Sequence, residues 1–253
     1  IKTPALLSRA ENGKLTDAGN SMSPDIERVM SLNPDAILLS PFENAGYGRI
    51  GKMGIPIIEC ADYLETSPLG RAEWIKFFGL LYGKEVEADS IFTEVEKNYT
   101  ELRDKIGVLS SAPVVISELK SGSAWYMPGG KSYMARFFKD AGAAYPWSDN
   151  TETGSIPLSF ETVFNRAGKA DIWLIKSFHV SELSYRTLQK EYAPYARFKA
   201  FREKKIYGCD SSRCNYYEET PFRPDLLLQE LAALFHPGLF PDYRFRYYQP
   251  LSE

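Results

Sequence analysis

Few residues of this 253-residue sequence have the types and spacing that catalysis needs. Histidine occurs only twice, at His179 and His236, which lie 57 positions apart. The chain contains no HExxH, CxxC, GxSxG or GxxxxGK[S/T] motif, so the common zinc, thiol, serine-nucleophile and phosphate-loop sites are not indicated. Its 33 acidic residues are too many for a catalytic pair to be chosen without geometry. The sequence therefore does not predict an enzyme or a catalytic cofactor, and no metal site is predicted.

Two of the three cysteines lie close together in the sequence. Cys60 ends an apolar run, which is typical of a buried, unreactive thiol. Cys209 and Cys214 lie five positions apart in the turn-rich segment GCDSSRCN, which could bring their sulfurs together. Spacing cannot establish the Cα separation that a disulfide requires, so a disulfide and a pair of thiols both remain open. An oxidising compartment would favour the disulfide.

Aromatic residues make up 14% of the chain, and sixteen of them are tyrosines. This composition suits a protein that grips a large flat ligand, and it equally suits a well-packed core. The net charge of −3 argues against a broad basic face that binds nucleic acid. No apolar run approaches the roughly 20 residues needed to cross a bilayer. We therefore expect a soluble globular protein without a nucleic-acid partner.

Short apolar runs alternate with helical stretches, which is the pattern of parallel α/β layers. The predicted strands are 36–40, 55–60, 114–118, 172–176 and 205–207. A helical pattern runs from about residue 67 to 105, and Gly79 and Gly83 indicate that it contains two helices. We predict two lobes of mainly parallel sheet flanked by helices and joined by one long helix. The lobes are 1–83 and 112–253, and the connecting helix is 84–111.

The two halves of the chain share a local pattern. Glu27 and Glu161 each lie in the predicted first turn of a helix that leads, through Asp35 or Asp171, into an apolar strand. In the first copy, Ser23 is the predicted N-cap. Acidic residues are favoured at helix N-termini by about 0.3–1 kcal/mol, which would explain each glutamate singly. Their recurrence in both lobes indicates a further shared role.

Several segments, in the expected order, resemble the cobalamin-, haem- and ferric-siderophore-binding proteins of ABC importers. These segments are SPDIERVMSLNPDAILL from Ser23, MGIPII from Met53, FGLLYGK from Phe78, WYMPGG from Trp125, YEE from Tyr217 and FHPGLFP from Phe235. The resemblance spans nearly the whole chain. Family members usually have several dozen residues before the segment that matches Ser23, whereas 22 precede it here. The resemblance therefore implies a first lobe that is shortened at its N-terminus, and a removed segment that carried an export signal or lipid anchor.

The resemblance implies a ligand held in a cleft between two lobes. Ligands of open parallel sheets bind beyond the carboxyl ends of the strands, and the loops at these positions are rich in aromatic residues. The predicted ligand-binding residues are Phe42, Tyr47, Arg49, Trp125, Tyr126, Tyr133, Phe178, His179, Tyr216 and Tyr217. Aromatic faces suit a macrocycle or catecholate, and arginine suits an anionic chelate or a propionate. Tyr126 and His179 are also candidate axial ligands to a transported iron or cobalt ion, although a simple loop role remains open for His179.

The resemblance also gives the paired glutamates a role. In the family, one glutamate at the top of each lobe docks onto arginines of the membrane permease, and Glu27 and Glu161 match those positions. The leading hypothesis is a periplasmic or otherwise extracytoplasmic solute-binding protein that carries an iron chelate, siderophore or haem. A lipid anchor on a preceding N-terminal segment is one form of this hypothesis. A corrinoid carrier of the same family is the first alternative. Two further alternatives remain. One is an enzyme with the same two-lobed fold that uses carboxylates of the cleft, and the other is a protein that docks onto the permease but binds no ligand.

Overall fold

The computed structural model describes residues 2–20, 23–41, 47–178 and 183–253. The chain divides into two compact units, residues 1–64 and 65–253. The elements of the first unit are α1 (Pro4–Glu11), β1 (Gly19–Asn20), β2 (Ser23–Pro24), α2 (Ile26–Leu32), β3 (Ile37–Leu39) and β4 (Ile57–Glu59). Strands β3 and β4 are parallel, with Leu39 opposite Glu59, so their carboxyl ends meet at one edge.

Helix α2 begins two residues later than the sequence predicts. Ser23 and Pro24 form strand β2, and the N-cap of α2 is Asp25, whose carboxylate accepts the amide hydrogen of Arg28 at 3.0 Å. An Asp can cap as well as a Ser, so the choice between neighbouring candidates depended on where the β1–β2 pairing ended. The later start still places Glu27 in the first turn.

The second unit contains the rest of the secondary structure. Its helices are α3 (Pro68–Leu81), α4 (Glu85–Gly107), α5 (Tyr133–Asp140), α6 (Phe160–Ala167), α7 (Tyr185–Glu191), α8 (Lys199–Arg202), α9 (Tyr216–Glu219) and α10 (Pro224–Phe235). Its strands are β5 (Val115–Ser117), β6 (Lys120–Ser121), β7 (Ala124–Pro128), β8 (Ser155–Leu158), β9 (Ile172–Ser177), β10 (Ile206–Asp210) and β11 (Gln249–Pro250). None of the helices within the described ranges has both the length and the apolar character of a membrane span. The lobe boundaries drawn from the sequence stay a prediction.

The helical pattern is divided into α3 and α4, as the sequence predicts, with Gly83 between the helices and Gly79 near the end of α3. Gly83 has φ +63°, a left-handed conformation that glycine adopts without steric cost. Gly79 lies where the two helices approach closely, since a Cβ added there would lie 2.5 Å from the Cβ of Ala88. The glycines therefore permit both the reversal of the chain and the packing of α4 against α3.

A four-stranded sheet in the order β11-β10-β9-β5 forms the centre of the second unit. Strands β5, β9 and β10 are parallel, and β11 is an antiparallel edge strand. The three parallel strands correspond to the strands predicted at 114–118, 172–176 and 205–207. Asp171, which precedes β9, accepts the amide hydrogen of Val114 at 2.8 Å and pairs with Lys199 at 2.6 Å. This aspartate therefore ties the start of β9 to the start of β5.

A second, antiparallel sheet of β6, β7 and β8 was not predicted. It occupies part of the segment 120–133 that the sequence predicts as a loop. In a strand, successive side chains point to opposite faces. Trp125 and Met127 are consequently fully buried, and Tyr126 between them is 49% exposed.

The buried face of β7 joins an aromatic cluster in the core. The indole of Trp125 lies 5.3 Å from Trp173, 5.7 Å from Tyr195 and 5.7 Å from Phe198, measured between ring centroids. Aromatic pairs at these separations contribute about 0.5–1.5 kcal/mol each beyond the apolar area that they bury. The cluster holds the three-stranded sheet against the parallel one.

Glu230 holds the C-terminal segment onto α10. Its buried carboxylate accepts the amide hydrogens of Arg246, Tyr247 and Tyr248 at 2.5, 2.8 and 2.6 Å. Burial raises the pKa of Glu230, and these hydrogen bonds oppose the increase. A single side chain thus satisfies three backbone donors before the chain enters β11.

We predict that Glu230→Gln lowers the free energy of unfolding by about 1–3 kcal/mol, because the amide NH₂ group faces buried N–H groups and leaves a donor without a partner. Urea unfolding of the variant and of the wild type measures the difference. Glu191→Gln, at the exposed end of α7, is the matched control and should change stability by less than about 0.5 kcal/mol. Equal losses in the two variants would show that the carboxylate is not the anchor.

Candidate functional site

The carboxyl ends of β5, β9 and β10 bring together an acid, a base and a thiol in the second unit. Glu118 directly follows β5, and Lys176 is the penultimate residue of β9. Cys209, on β10, is in register with Lys176. Because the strands are parallel, these side chains share one edge of the sheet, which is where ligands of open α/β sheets bind.

Glu118 and Lys176 form a largely buried ion pair. The Lys176 Nζ lies 2.5 Å from the Glu118 Oε1, and the side chains are 14% and 24% exposed respectively. Desolvation is the largest single influence on the pKa of Lys176 and lowers it, but Glu118 together with Tyr216 and Tyr133 raises that pKa well above its usual range. The short ion pair and the raised pKa both favour the charged form of the lysine.

Glu118 is held in a strained backbone conformation. Its φ is +63°, in the left-handed region, which costs roughly 1–2 kcal/mol for a residue other than glycine. Its amide donates to the carbonyl of Leu174 at 2.9 Å, and its carbonyl accepts the indole N–H of Trp173 at 2.9 Å. The indole of Trp125 donates to the preceding carbonyl of Ser117 at 3.0 Å. The surrounding core thus fixes the direction in which the carboxylate of Glu118 leaves the strand.

Tyrosines surround this ion pair. The Lys176 Nζ lies 5.8 Å from the ring centroid of Tyr216, and Tyr216 contacts Tyr217 edge-to-face at 5.2 Å. Tyr133, in the first turn of α5, is near enough to Lys176 to contribute to the increase in the lysine pKa. The guanidinium of Arg71 on α3 lies 5.4 Å from the centroid of Tyr133. Cations over tyrosine rings interact favourably with the negative face of the ring.

Burial gives the three tyrosines different roles. Tyr216 is fully buried, and its hydroxyl donates to the sulfur of Met134 at 3.7 Å. Tyr133 is half-buried, whereas Tyr217 is 61% exposed. Desolvation raises the pKa of Tyr217, and Lys176 opposes that increase. The buried ring of Tyr216 packs near the ion pair, and the ring of Tyr217 faces solvent at the edge of the sheet.

The remaining predicted ligand residues of this unit do not all reach that edge. Phe178 directly follows β9 and is 77% exposed, as a ligand-contacting aromatic would be. Tyr126 lies on the outer face of the three-stranded sheet. The ligand role predicted for Trp125 needs correction, because its ring is enclosed in the core and its N–H is already bonded to Ser117. The buried ring of Tyr216 is likewise a supporting side chain and does not present a ligand surface.

The first unit has its own edge of similar chemistry. The hydroxyl of Tyr47 donates to the carboxylate of Glu59 at the end of β4, and this hydrogen bond raises the pKa of Tyr47 to about 12. The hydroxyl of Tyr63 donates to the carbonyl of Pro41. Arg49, two residues after Tyr47, is exposed. Phe42 in this unit and His179 in the second lie outside the described residues.

The other predicted residues take clear positions. Glu27 and Glu161 are both exposed in the first turn of a capped helix, α2 and α6 respectively. Cys209 and Cys214 are thiols with their sulfurs 3.6 Å apart. In the part of the chain that the structure describes, no three or more His, Cys, Asp or Glu side chains form a group that could hold a metal ion.

Three residues of this edge were not predicted: Glu118, Lys176 and Arg71. A signal for Lys176 was available, because a lysine that ends the apolar run IWLIK needs a partner if it is buried. No spacing rule could connect it to Glu118, which lies 58 positions earlier in the chain. Arg71 reaches Tyr133 only because α3 packs beside α5.

The chain matches a known protein family over most of its length. A family model described as a periplasmic binding protein matches residues 2–212. An uncharacterized lipoprotein of Methanocaldococcus jannaschii is 31% identical to this chain over 239 residues. The match covers 90% of this chain and 54% of that relative, so the chain spans about half the length of this curated relative.

Two solved structures have similar folds at low sequence identity. A periplasmic haem-binding protein from Pseudomonas aeruginosa has a TM-score of 0.71 and 19% identity, with 94% of this chain and 82% of that chain covered. A structure from Staphylococcus epidermidis, described as a possible iron-binding periplasmic solute-binding protein, has a TM-score of 0.66 and 18% identity. That likeness covers 86% of this chain and 82% of the other. These similarities confirm the predicted α/β fold class.

We predict that Lys176→Met lowers the free energy of unfolding by about 3 kcal/mol, because it leaves the carboxylate of Glu118 largely buried without its cation. The double variant Lys176→Met/Glu118→Gly should recover most of this loss. Glycine removes the unpaired carboxylate and adopts the positive φ without strain. Urea unfolding of both variants tests the pair, and a double variant no more stable than Lys176→Met would contradict it.

Proposed function

Because the chain belongs to the periplasmic binding protein family, we propose that it is an extracytoplasmic solute-binding protein that captures an iron chelate, siderophore or haem and delivers it to an ABC permease. The observation that carries this proposal is the edge formed by Glu118, Lys176, Tyr133 and Tyr217 in the second unit. Its charged groups are paired internally, and aromatic faces are left for a ligand. This chemistry suits a carrier that binds and releases an unchanged molecule.

The exposed aromatic rings indicate the class of ligand. Tyr217 and Phe178 follow different strands of the same sheet, and most of each side chain is exposed. Offset stacking and edge-to-face contacts of such rings favour a flat conjugated ligand, either a macrocycle or a catecholate chelate. A corrinoid would use similar contacts and is the alternative within the same family.

Arginines in both units favour an anionic ligand. Arg71 lies against Tyr133, and Arg49, two positions after Tyr47 in the first unit, is exposed. Guanidinium groups bind carboxylates through paired, charge-assisted hydrogen bonds. We propose that Arg71 contacts an anionic group of the ligand, such as a propionate of haem or a carboxylate of an iron chelate, and Arg49 remains a proposed contact from the sequence. Phe42, Tyr126 and His179 remain proposed contacts from the sequence, with Tyr126 and His179 as candidate metal ligands within the cargo site.

Glu27 and Glu161 are the proposed contacts with the permease. Both are exposed, and each lies in the first turn of a helix whose N-cap side chain is already bonded. Their carboxylates are therefore available to arginines of a partner. Exposed ion pairs contribute only about 0–1 kcal/mol each, so two of them would orient the protein more than they would tighten binding. The proposed location is extracytoplasmic, in agreement with the lipoprotein description of the 31%-identical relative.

We predict saturable binding of one member of a panel made of haem, ferric siderophores and cyanocobalamin, followed by ligand absorbance and tryptophan fluorescence. Tyr217→Ala should weaken that binding by about tenfold, because it removes one exposed stacking ring. Tyr82→Ala is the matched control, since Tyr82 is 70% exposed at the end of α3 and should not affect binding. Binding of no panel member would overturn the proposed cargo. Conversion of a panel member into product would favour an enzyme.

We predict that Glu27→Lys/Glu161→Lys abolishes most ligand delivery to the importer reconstituted in liposomes, while the dissociation constant of the ligand stays unchanged. Reversing both charges replaces attraction to permease arginines by repulsion. Glu96→Lys, at an exposed position of α4, is the control for a general change in charge. Equal transport by the double variant and the control would contradict a role of Glu27 and Glu161 in docking to the permease.

A further inference from the structure

We propose that Cys209 and Cys214 form a redox site, in which exchange with a small disulfide such as oxidised glutathione controls the mobility of α9, the short helix that carries Tyr216 and Tyr217. In the oxidised state a disulfide ties the start of α9 to β10, and in the reduced state this covalent tie is absent. The effect on ligand affinity rests on the proposed function. The thiol chemistry and its effect on α9 do not.

The two sulfurs are already in contact. Cys209 lies on β10, Cys214 lies just before α9, and their sulfurs are 3.6 Å apart. A disulfide requires about 2.0 Å between the sulfurs, so a small rotation of the side chains and a small adjustment of the turn bring them within bonding distance. The loop to be closed contains only the residues between the two cysteines, so little chain entropy opposes bond formation.

The turn between the cysteines is held in place by Asp210. Its carboxylate accepts the amide hydrogen of Ser212 at 2.8 Å and the hydroxyl hydrogen of Ser212 at 2.6 Å. Its carbonyl accepts the amide hydrogens of Arg213 at 2.9 Å and Cys214 at 3.2 Å. These bonds return the chain toward β10 and place the second thiol beside the first.

The cysteines are directly connected to the candidate ligand edge. Cys209 is in register with Lys176, so its strand position adjoins the ion pair. Cys214 lies two positions before Tyr216, whose buried ring lies against Lys176 and contacts Tyr217. A covalent link between the two sulfurs would therefore restrict the segment that positions both tyrosines.

The different exposure of the two cysteines decides which sulfur reacts first with an external disulfide. Cys209 is fully buried, and the contact with Cys214 together with burial raises its pKa, which keeps it protonated. Cys214 is partly exposed and is the sulfur that an external reagent can reach. The thiolate of Cys214 attacks one sulfur of the small disulfide, and the first thiol leaves. The sulfur of Cys209 then attacks the sulfur of Cys214, and its proton passes to the second thiol as that thiol leaves, so the protein loses two hydrogens and the small disulfide is reduced to two thiols.

The experiment equilibrates the full chain in buffers of reduced and oxidised glutathione, traps thiols by alkylation, and measures intact mass. Hydrogen exchange at residues 215–220 is measured in the same samples. We expect an intramolecular disulfide and exchange slowed by about tenfold in the oxidised state, because the link suppresses local opening. Haem or the panel ligand that binds should bind about fivefold more tightly to the oxidised protein, whose tyrosines are preorganised.

Cys214→Ala should abolish both responses, and Cys209→Ser provides a second variant if one of them folds poorly. Cys60→Ser, in the first unit, should leave both responses intact. The proposal is overturned if no intramolecular disulfide forms, or if it forms and leaves exchange at 215–220 unchanged. Slowed exchange in a protein that binds no panel member in either state would support the redox site and reject the proposed function. Equal affinities in the two states would reject control of ligand binding.

Discussion

The candidate ligand edge of the second unit depends on the ion pair between Glu118 and Lys176. This ion pair joins the ends of two neighbouring parallel strands, and three tyrosines and a cysteine adjoin it. Largely buried charges require a partner, so neither residue can be exchanged alone without a cost. The core contributes to the same arrangement, because the indoles of Trp125 and Trp173 bond to the carbonyls of Ser117 and Glu118. Glu118 and Lys176 thereby neutralise each other at a fixed position, and the ring of Tyr217 faces solvent beside them.

The two units have edges of the same kind. In each, parallel strands end in a carboxylate that is already engaged: Glu59 with Tyr47 in the first unit and Glu118 with Lys176 in the second. Engaged carboxylates are poor nucleophiles and poor general bases, because their lone pairs and charge are already satisfied. Exposed rings and guanidinium groups next to them can still make stacking and ionic contacts. This division of roles agrees with the binding-protein family to which the chain belongs.

Periodicity was a reliable guide where a single physical requirement decided the structure. The parallel strands were predicted because each is an apolar run that both faces of a sheet bury. The break between α3 and α4 was predicted because glycine weakens a helix, and the structure adds that Gly83 adopts a left-handed conformation at the break. Trp125 was predicted to lie in a ligand-binding loop, because a short alternating segment next to a glycine turn resembles a loop, whereas it lies on β7 in the core. Its pairing with β8, some 30 residues later, is what turns the indole inward.

The sequence by itself therefore determined the α/β class, the positions of the parallel strands, and the first-turn locations of Glu27 and Glu161. Each of these follows from local rules of burial, glycine conformation and helix capping. Only the tertiary structure decided which of the many aromatic residues face outward, and that Glu118, Lys176 and Cys209 share one edge. These residues come from strands far apart in the chain. Their meeting depends on the order and register of the sheet, which the side-chain pattern of one strand does not encode.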